Sequence, residues 1–205
     1  MKPVRVILVE DDSDWASAML SFLEREGDLK LVGTAADRDS ALALFSTVEA
    51  EVVLMDIQLG SGGLEGIRLA VDMSEIRPVK IIMLTSLEDE QVITRAFTAG
   101  AVNYVRKTDY RQLPAAIRSA VTDGSPMEIL IREFGRLKRE EQLAPLTAAE
   151  REVFELLEEG YTKPQIQRKL FKTESTIKNQ MNKLLKKLGV RSGKEAVEKV
   201  KRKGL

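Results

Sequence analysis

The sequence contains no cysteine and no histidine. Without cysteine there can be no disulfide, no thiolate nucleophile and no cysteine-bound zinc. Without histidine the commonest general base and metal ligand is missing, and the chain has no phosphohistidine chemistry of its own. Long apolar runs are also absent. No window approaches the roughly 18 consecutive apolar residues of a membrane helix, so no membrane partner is expected and a cytoplasmic location is. The apolar stretch Val4–Val9 ends in three acids and has no small-residue cleavage site, so it reads as a strand and not a signal peptide.

What is present fits a packed chain of one or two domains: 205 residues, 43% hydrophobic and 31% charged. The formal net charge is zero, but the two ends differ. Residues 1–144 hold 17 basic and 24 acidic residues, a net of −7, and residues 145–205 hold 15 and 8, a net of +7. That imbalance fits a nucleic-acid surface at the C-terminal end. Charge alone fits two differently solvated surfaces equally well.

Short runs rich in Val, Ile and Leu recur at Val4–Val9, Leu29–Ala35, Val52–Met55, Ile81–Leu84 and Val102–Val105. Buried parallel strands look like this. Between and after them, Ser13–Glu26, Asp39–Ser46, Leu64–Glu75, Asp89–Thr98 and Tyr110–Thr122 have helical spacing. Five strands alternating with five helices predict an α/β fold with a parallel sheet covered on both faces. In such sheets the site lies at the carboxyl ends of the strands.

Asp123-Gly124-Ser125-Pro126 reads as a break, residues 127–142 as a charged linker helix, and Ala144-Pro145 as a second boundary. The expected division is 1–122, a linker at 123–144, and 145–205. From Leu146 the pattern is all helical. Thr147 with Glu150, and Thr162 with Gln165, are capping boxes. Gly160 ends one helix, and Thr173 caps a third that ends near Gly189. A fourth helix runs over about Gly193–Lys203.

Glu10 and Asp11 follow the first strand, and Asp56 follows the third. Adjacent central strands would bring these carboxylates to one mouth, where like charges repel unless a cation sits among them. Mg²⁺ suits such a site, because it takes oxygen ligands and accepts one or two carboxylates plus a phosphate oxygen. Thr85 follows the fourth strand and Lys107 the fifth, adding a hydroxyl and an ammonium. Together these are the parts for phosphoryl transfer onto a carboxylate. Each residue alone reads more readily as a helix cap or a solvated loop residue. The ordered set favours the chemistry.

Residues 1–122 resemble the receiver domain of bacterial two-component systems through ILVEDD, VVLMDIQL, IIMLTS and NYVRK. The resemblance implies a flavodoxin-like (βα)5 fold with strand order 2-1-3-4-5. It implies that a partner histidine kinase phosphorylates Asp56. It implies that Glu10, Asp11, Asp56 and the backbone carbonyl of Gln58 hold Mg²⁺, and that Thr85 and Lys107 bind the phosphoryl group. Tyr104 falls at the family's aromatic switch position beside Thr85. Its spacing alone suits a half-buried strand aromatic. The stretch Leu59-Gly60-Ser61-Gly62-Gly63 departs from the family, which often has proline there.

In the C-terminal part, Ile177, Met181, Leu184, Leu185 and Leu188 form an apolar stripe. Lys178, Asn179, Asn182, Lys183 and Lys186 fall largely on the other side. Residues 146–190 resemble the LuxR/NarL-type helix-turn-helix through LTAAEREVFELLEEGYTKPQI and TESTIKNQMNKLLKKLGV. Carried over position by position, Lys178, Asn179 and Asn182 face bases of double-stranded DNA. Lys163, Ser175, Lys183 and Lys186 are candidates for phosphate contacts. Three departures stand out: Gln167 where a small residue is usual, Lys172 where an aliphatic one is usual, and Gln180 in place of a histidine. Phe171 is expected to supply the apolar plug that Lys172 does not.

The sequence is therefore read as a LuxR/NarL-type response regulator: a transcription factor switched by phosphorylation, forming a homodimer when phosphorylated. No metabolic turnover is expected beyond slow loss of its own phosphoryl group. Two other readings stay open at this point. One is a DNA-binding protein whose first domain only dimerises, and the other is a small phosphohydrolase.

Overall fold

The computed structural model describes residues 2–60, 63–86, 89–122 and 126–202, with backbone only at 126–128. It contains two compact units, Met1–Glu133 and Phe134–Leu205. The break read at 123–125 and the Ser61-Gly62 part of the glycine-rich stretch lie outside the described residues.

The first unit holds five strands: β1 (Val4–Val9), β2 (Leu29–Ala35), β3 (Val52–Asp56), β4 (Lys80–Thr85) and β5 (Asn103–Arg106). They form one parallel sheet in the order β2-β1-β3-β4-β5. The flavodoxin-like order expected from the sequence is thus the order observed. Its helices are α1 (Ser13–Leu23), α2 (Arg38–Thr47), α3 (Glu65–Ile76), α4 (Glu90–Thr98) and α5 (Leu113–Ala120).

Alternation along the strands splits the core into two layers. Ile7, Val9, Val53, Met55, Ile81 and Met83 pack against residues of α2, α3 and α4, with Phe45 and Met73 fully buried there. Val6, Leu8, Val52, Leu54, Ile82 and Leu84 pack against Met19 and Leu23 of α1 and Leu113 and Ile117 of α5. Both faces of the sheet are covered, which explains why the central strands read as continuous apolar runs.

Several boundaries differ from the sequence reading. Strands β3 and β4 run through Asp56 and Thr85, so these residues end their strands rather than follow them. The segment read as one helix over 110–122 is a 3-10 turn at Lys107–Gln112 followed by α5. Asp109 breaks the helical geometry (φ −101°, ψ 25°), and Pro114 sits in the first turn of α5, where its missing N–H costs nothing.

Helix α6 (Pro126–Leu143) crosses the point where the two units divide. In the second unit its C-terminal half is tied to α7 (Ala148–Glu158). Arg139 grips Glu158 with two bonds of 2.6 and 2.7 Å, and Arg151 reaches Glu140 at 2.6 Å. Leu143 is buried in the same core as Val153, Phe154 and Met181. The unit continues with α8 (Lys163–Lys169), α9 (Glu174–Leu188) and α10 (Gly193–Lys201). Each predicted cap is formed. Glu150 accepts from the Thr147 N–H, Gln165 accepts from the Thr162 N–H, and Thr173 accepts from the Thr176 N–H. Gly189 ends α9 in the left-handed conformation (φ 66°).

Candidate functional site

The carboxyl ends of β1, β3, β4 and β5 bring Glu10, Asp56, Thr85 and Lys107 to one edge of the sheet. Glu10 and Asp56 are each only 3% exposed, and Thr85 is fully buried. Lys107 Nζ donates to Asp56 Oδ2 at 2.8 Å and to Glu10 Oε1 at 2.8 Å. Asp11 is exposed, and its Oδ2 accepts the Gly60 N–H at 2.9 Å. The Gln58 N–H donates to Asp56 Oδ1 at 3.1 Å, which fixes the loop leaving β3 against the Asp56 carboxylate.

Burial pushes the Glu10 carboxyl up. The nearby Asp56 charge adds to this, while the bonds from Lys107 and the Asp12 N–H pull down less than the sum. Burial also opposes charge on Lys107, but the bonds to Asp56 and Glu10 outweigh it and hold the ammonium above its usual value. The pocket is thus a crowded set of charges in which one cation serves two buried acids.

One oxygen each from Glu10, Asp11 and Asp56 lies within 4.8 Å of the others. Glu10 Oε2 is buried, and its ion partner is the Lys107 ammonium at 2.7 Å. Three clustered carboxylates make a set of hard oxygen ligands that fits a divalent cation. Asp12, one residue further on, does not join them. It is the N-cap of α1, accepting from the N–H groups of Asp14 and Trp15 at 3.0 Å.

Tyr104 is half-buried and packs against the α2–α4 side of the core. Strand register pairs it with Met83, two residues before Thr85, so Tyr104 and Thr85 share a face of the sheet. That is the arrangement a coupled hydroxyl and ring would need.

Two further neighbours of this pocket emerge only from the fold. The Trp15 ring lies with its centroid 5.1 Å from Lys107 Nζ. Gly66, in the first turn of α3, lies directly against the carbonyl of Asp56. A Cβ there would stand 1.8 Å from that oxygen. The signal available for Trp15 was its place three residues after the Asp12 cap. For Gly66 no local pattern pointed to β3.

In the second unit, Lys178, Asn179, Asn182, Lys183 and Lys186 are exposed on α9, opposite a buried face of Ile177, Met181, Leu184 and Leu188. Ser175 is exposed in the first turn of α9, and Lys163 is exposed as the first residue of α8. Two sets of lysines differ in their partners. Lys169, Lys172, Lys187 and Lys199 bond to Tyr161, Glu152, Glu150 and the Leu188 carbonyl. Among the described residues, the side chains of Lys163, Lys178, Lys183 and Lys186 have no such partner. The unpaired set leaves uncompensated positive charge on the outer face of α9 and at the start of α8.

The expected role of Phe171 is corrected. It is 97% exposed, with φ of 51°, and plugs nothing. Leu170 packs against the core instead. The turn needs a left-handed residue at 171, and that geometry swings the ring out into solvent.

A model of the response regulator receiver domain matches residues 6–118, and one of the luxR family of bacterial regulatory proteins matches residues 144–200. Transcriptional regulatory protein LnrK of Bacillus subtilis is 30% identical over 209 residues, covering 94% of each chain. DNA-binding transcriptional activator DevR/DosR of Mycobacterium tuberculosis is 30% identical, covering 91% of this chain and 89% of its own. Among solved structures, RcsB of Salmonella typhimurium shares the fold across 100% of both chains, with a TM-score of 0.54 at 21% identity. Both domain models match in order, and relatives of this identity align over nearly the whole length. The chain therefore belongs to the LuxR family of two-component response regulators, which are DNA-binding transcription regulators and not metabolic enzymes.

Proposed function

We propose that Asp56 is the phosphoacceptor, and that its phosphorylation by a partner histidine kinase controls how α8 and α9 engage double-stranded DNA. The observation that carries this reading is the Asp56 carboxylate itself. It is buried at a strand end, holds Lys107 at 2.8 Å, and lies beside Glu10 and Asp11.

Asp56 attacks the phosphorus of an existing phosphoryl donor. The bond from phosphorus to the donor's nitrogen breaks as the new bond to the carboxylate oxygen forms, so no histidine base is required here. Lys107 and the Thr85 hydroxyl take the phosphoryl oxygens. Glu10, Asp11, Asp56 and the backbone carbonyl of Gln58 are the groups that would hold Mg²⁺, which when bound offsets the charge of the transferred group. Engagement of Thr85 frees space on the shared sheet face for Tyr104 to turn inward, a two-state element of the kind that relays a local change. Slow hydrolysis of the phospho-Asp56 bond resets the state.

At the other end, Lys178, Asn179 and Asn182 read bases in the major groove, and Lys163, Ser175, Lys183 and Lys186 hold phosphates. The free lysines at these positions support the assignment. A homodimer of the phosphorylated form would set two α9 helices on half-sites about one turn apart. The place of action is the cytoplasm, where the operator DNA lies. Intact-mass spectrometry after incubation with Mg²⁺ and acetyl phosphate tests the acceptor. Wild type should gain one phosphoryl group and Asp56→Asn none, whereas a gain that survives Asp56→Asn refutes the assignment.

A further inference from the structure

Lys107 carries the phosphoryl-binding charge in the reading above, and its surroundings are lopsided. On one side stand the carboxylates of Glu10 and Asp56. On another stands the face of Trp15, within the roughly 6 Å over which a ring attracts a cation. Beyond both opens a groove of about 450 Å³ lined by Trp15, Met19, Phe22, Lys107, Thr108 and Tyr110. A lysine stem is long and loses much rotamer freedom when held. Without the ring, the groove offers the ammonium water and room to swing away from Asp56.

The backbone that carries the ring is tied to the pocket. The Asp12 N–H donates to Glu10 Oε1 at 3.1 Å, and Asp12 Oδ1 accepts the backbone N–H of Trp15 at 3.0 Å. Glu10, Asp12, Trp15 and Lys107 therefore form a closed circuit of contacts, completed by the bond from Lys107 back to Glu10. The edge-on packing of Phe22 against Tyr110, with centroids 5.2 Å apart, firms the wall behind it.

We propose that Trp15 is a positioning residue that keeps the Lys107 ammonium over Asp56. The ring contact uses no carboxylate, so it persists when Asp56 carries a phosphoryl group or when Glu10 and Asp56 turn to a divalent cation. Trp15 touches neither the acceptor nor the donor in this role and acts through Lys107. The inference rests on Lys107 serving the phosphoryl group.

The test compares Trp15→Phe, which keeps a π face, with Trp15→Leu, which keeps apolar bulk alone. Full-length protein is incubated with Mg²⁺ and acetyl phosphate, and phosphorylation is followed by intact mass. Trp15→Phe should stay within about twofold of the wild-type saturating rate, and Trp15→Leu should fall roughly threefold to tenfold, with unfolding midpoints matched. Trp15 is the sole tryptophan, so its emission gives a second readout that needs no turnover. Replacing Lys107 by Met should shift that emission. A Leu variant as fast as wild type, equal losses in Leu and Phe, or unchanged emission in Lys107→Met overturns the proposal. If wild type itself takes up no phosphoryl group, the acceptor reading falls first and this inference falls with it.

Discussion

Glu150 Oε2 receives Lys187 Nζ at 2.6 Å while also accepting the Thr147 N–H at 2.8 Å. The residue that caps α7 thus also pins α9, the helix with the free lysines. The Lys187 bond, then the Thr147 N–H, hold the Glu150 carboxyl below its usual range. A depressed folded value means stability that is present above the unfolded carboxyl's value of about 4.3 and is lost as pH falls through the lower folded value. Urea unfolding across pH should show wild type more stable than Glu150→Gln near neutrality, with the gap closing below about pH 4.3. A gap that stays constant with pH would remove this electrostatic account.

Gly66 has no room for a side chain. A Cβ would meet the Asp56 carbonyl at 1.8 Å and the Ile57 Cα at 3.0 Å, both backbone atoms. Gly66→Ala should destabilise the first unit by about 2 kcal/mol, as overpacking does. It should also slow phosphorylation by displacing Asp56. Thermal unfolding and intact-mass kinetics on the same variant check both effects.

Phe171 bears a left-handed backbone and an almost fully exposed ring. Phe171→Gly should raise stability by about 1 kcal/mol, since glycine adopts that conformation without the Cβ penalty. Chemical unfolding followed by circular dichroism measures the gain. A loss would mean the ring has a packing role that its exposure does not reveal.

The two sets of lysines should behave differently on DNA. Lys183→Ala should weaken duplex binding across sequences and reduce the slope of log affinity against log salt by about one. Lys169→Ala removes a residue already engaged with Tyr161 and Glu159, so that slope should stay as it is. Fluorescence anisotropy at a series of salt concentrations separates the two.

Much of this was legible in the residues. The five strands and the placement of Glu10, Asp56, Thr85 and Lys107 at their ends followed from apolar runs punctuated by polar residues, whereas the strand order came from the resemblance to receiver domains. The caps at Thr147, Thr162 and Thr173 followed from local spacing. What stayed hidden depends on contacts distant in sequence. Lys187 is 37 residues from Glu150, and no local pattern ties them. Trp15 meets Lys107 only because α1 faces the turn that follows β5, as the contact of Phe22 with Tyr110 also shows. The apolar character of Phe171 argues for burial, whereas the φ of the turn sends the ring outward.

We propose that the state of Asp56 governs DNA binding at α9. The most direct test selects a duplex from random sequence with phosphodonor-treated protein, then measures its affinity with and without acetyl phosphate and Mg²⁺. Binding should tighten on phosphorylation in wild type and stay unchanged in Asp56→Asn. An equal response in both proteins, or none in wild type despite a phosphoryl group on Asp56, would contradict it.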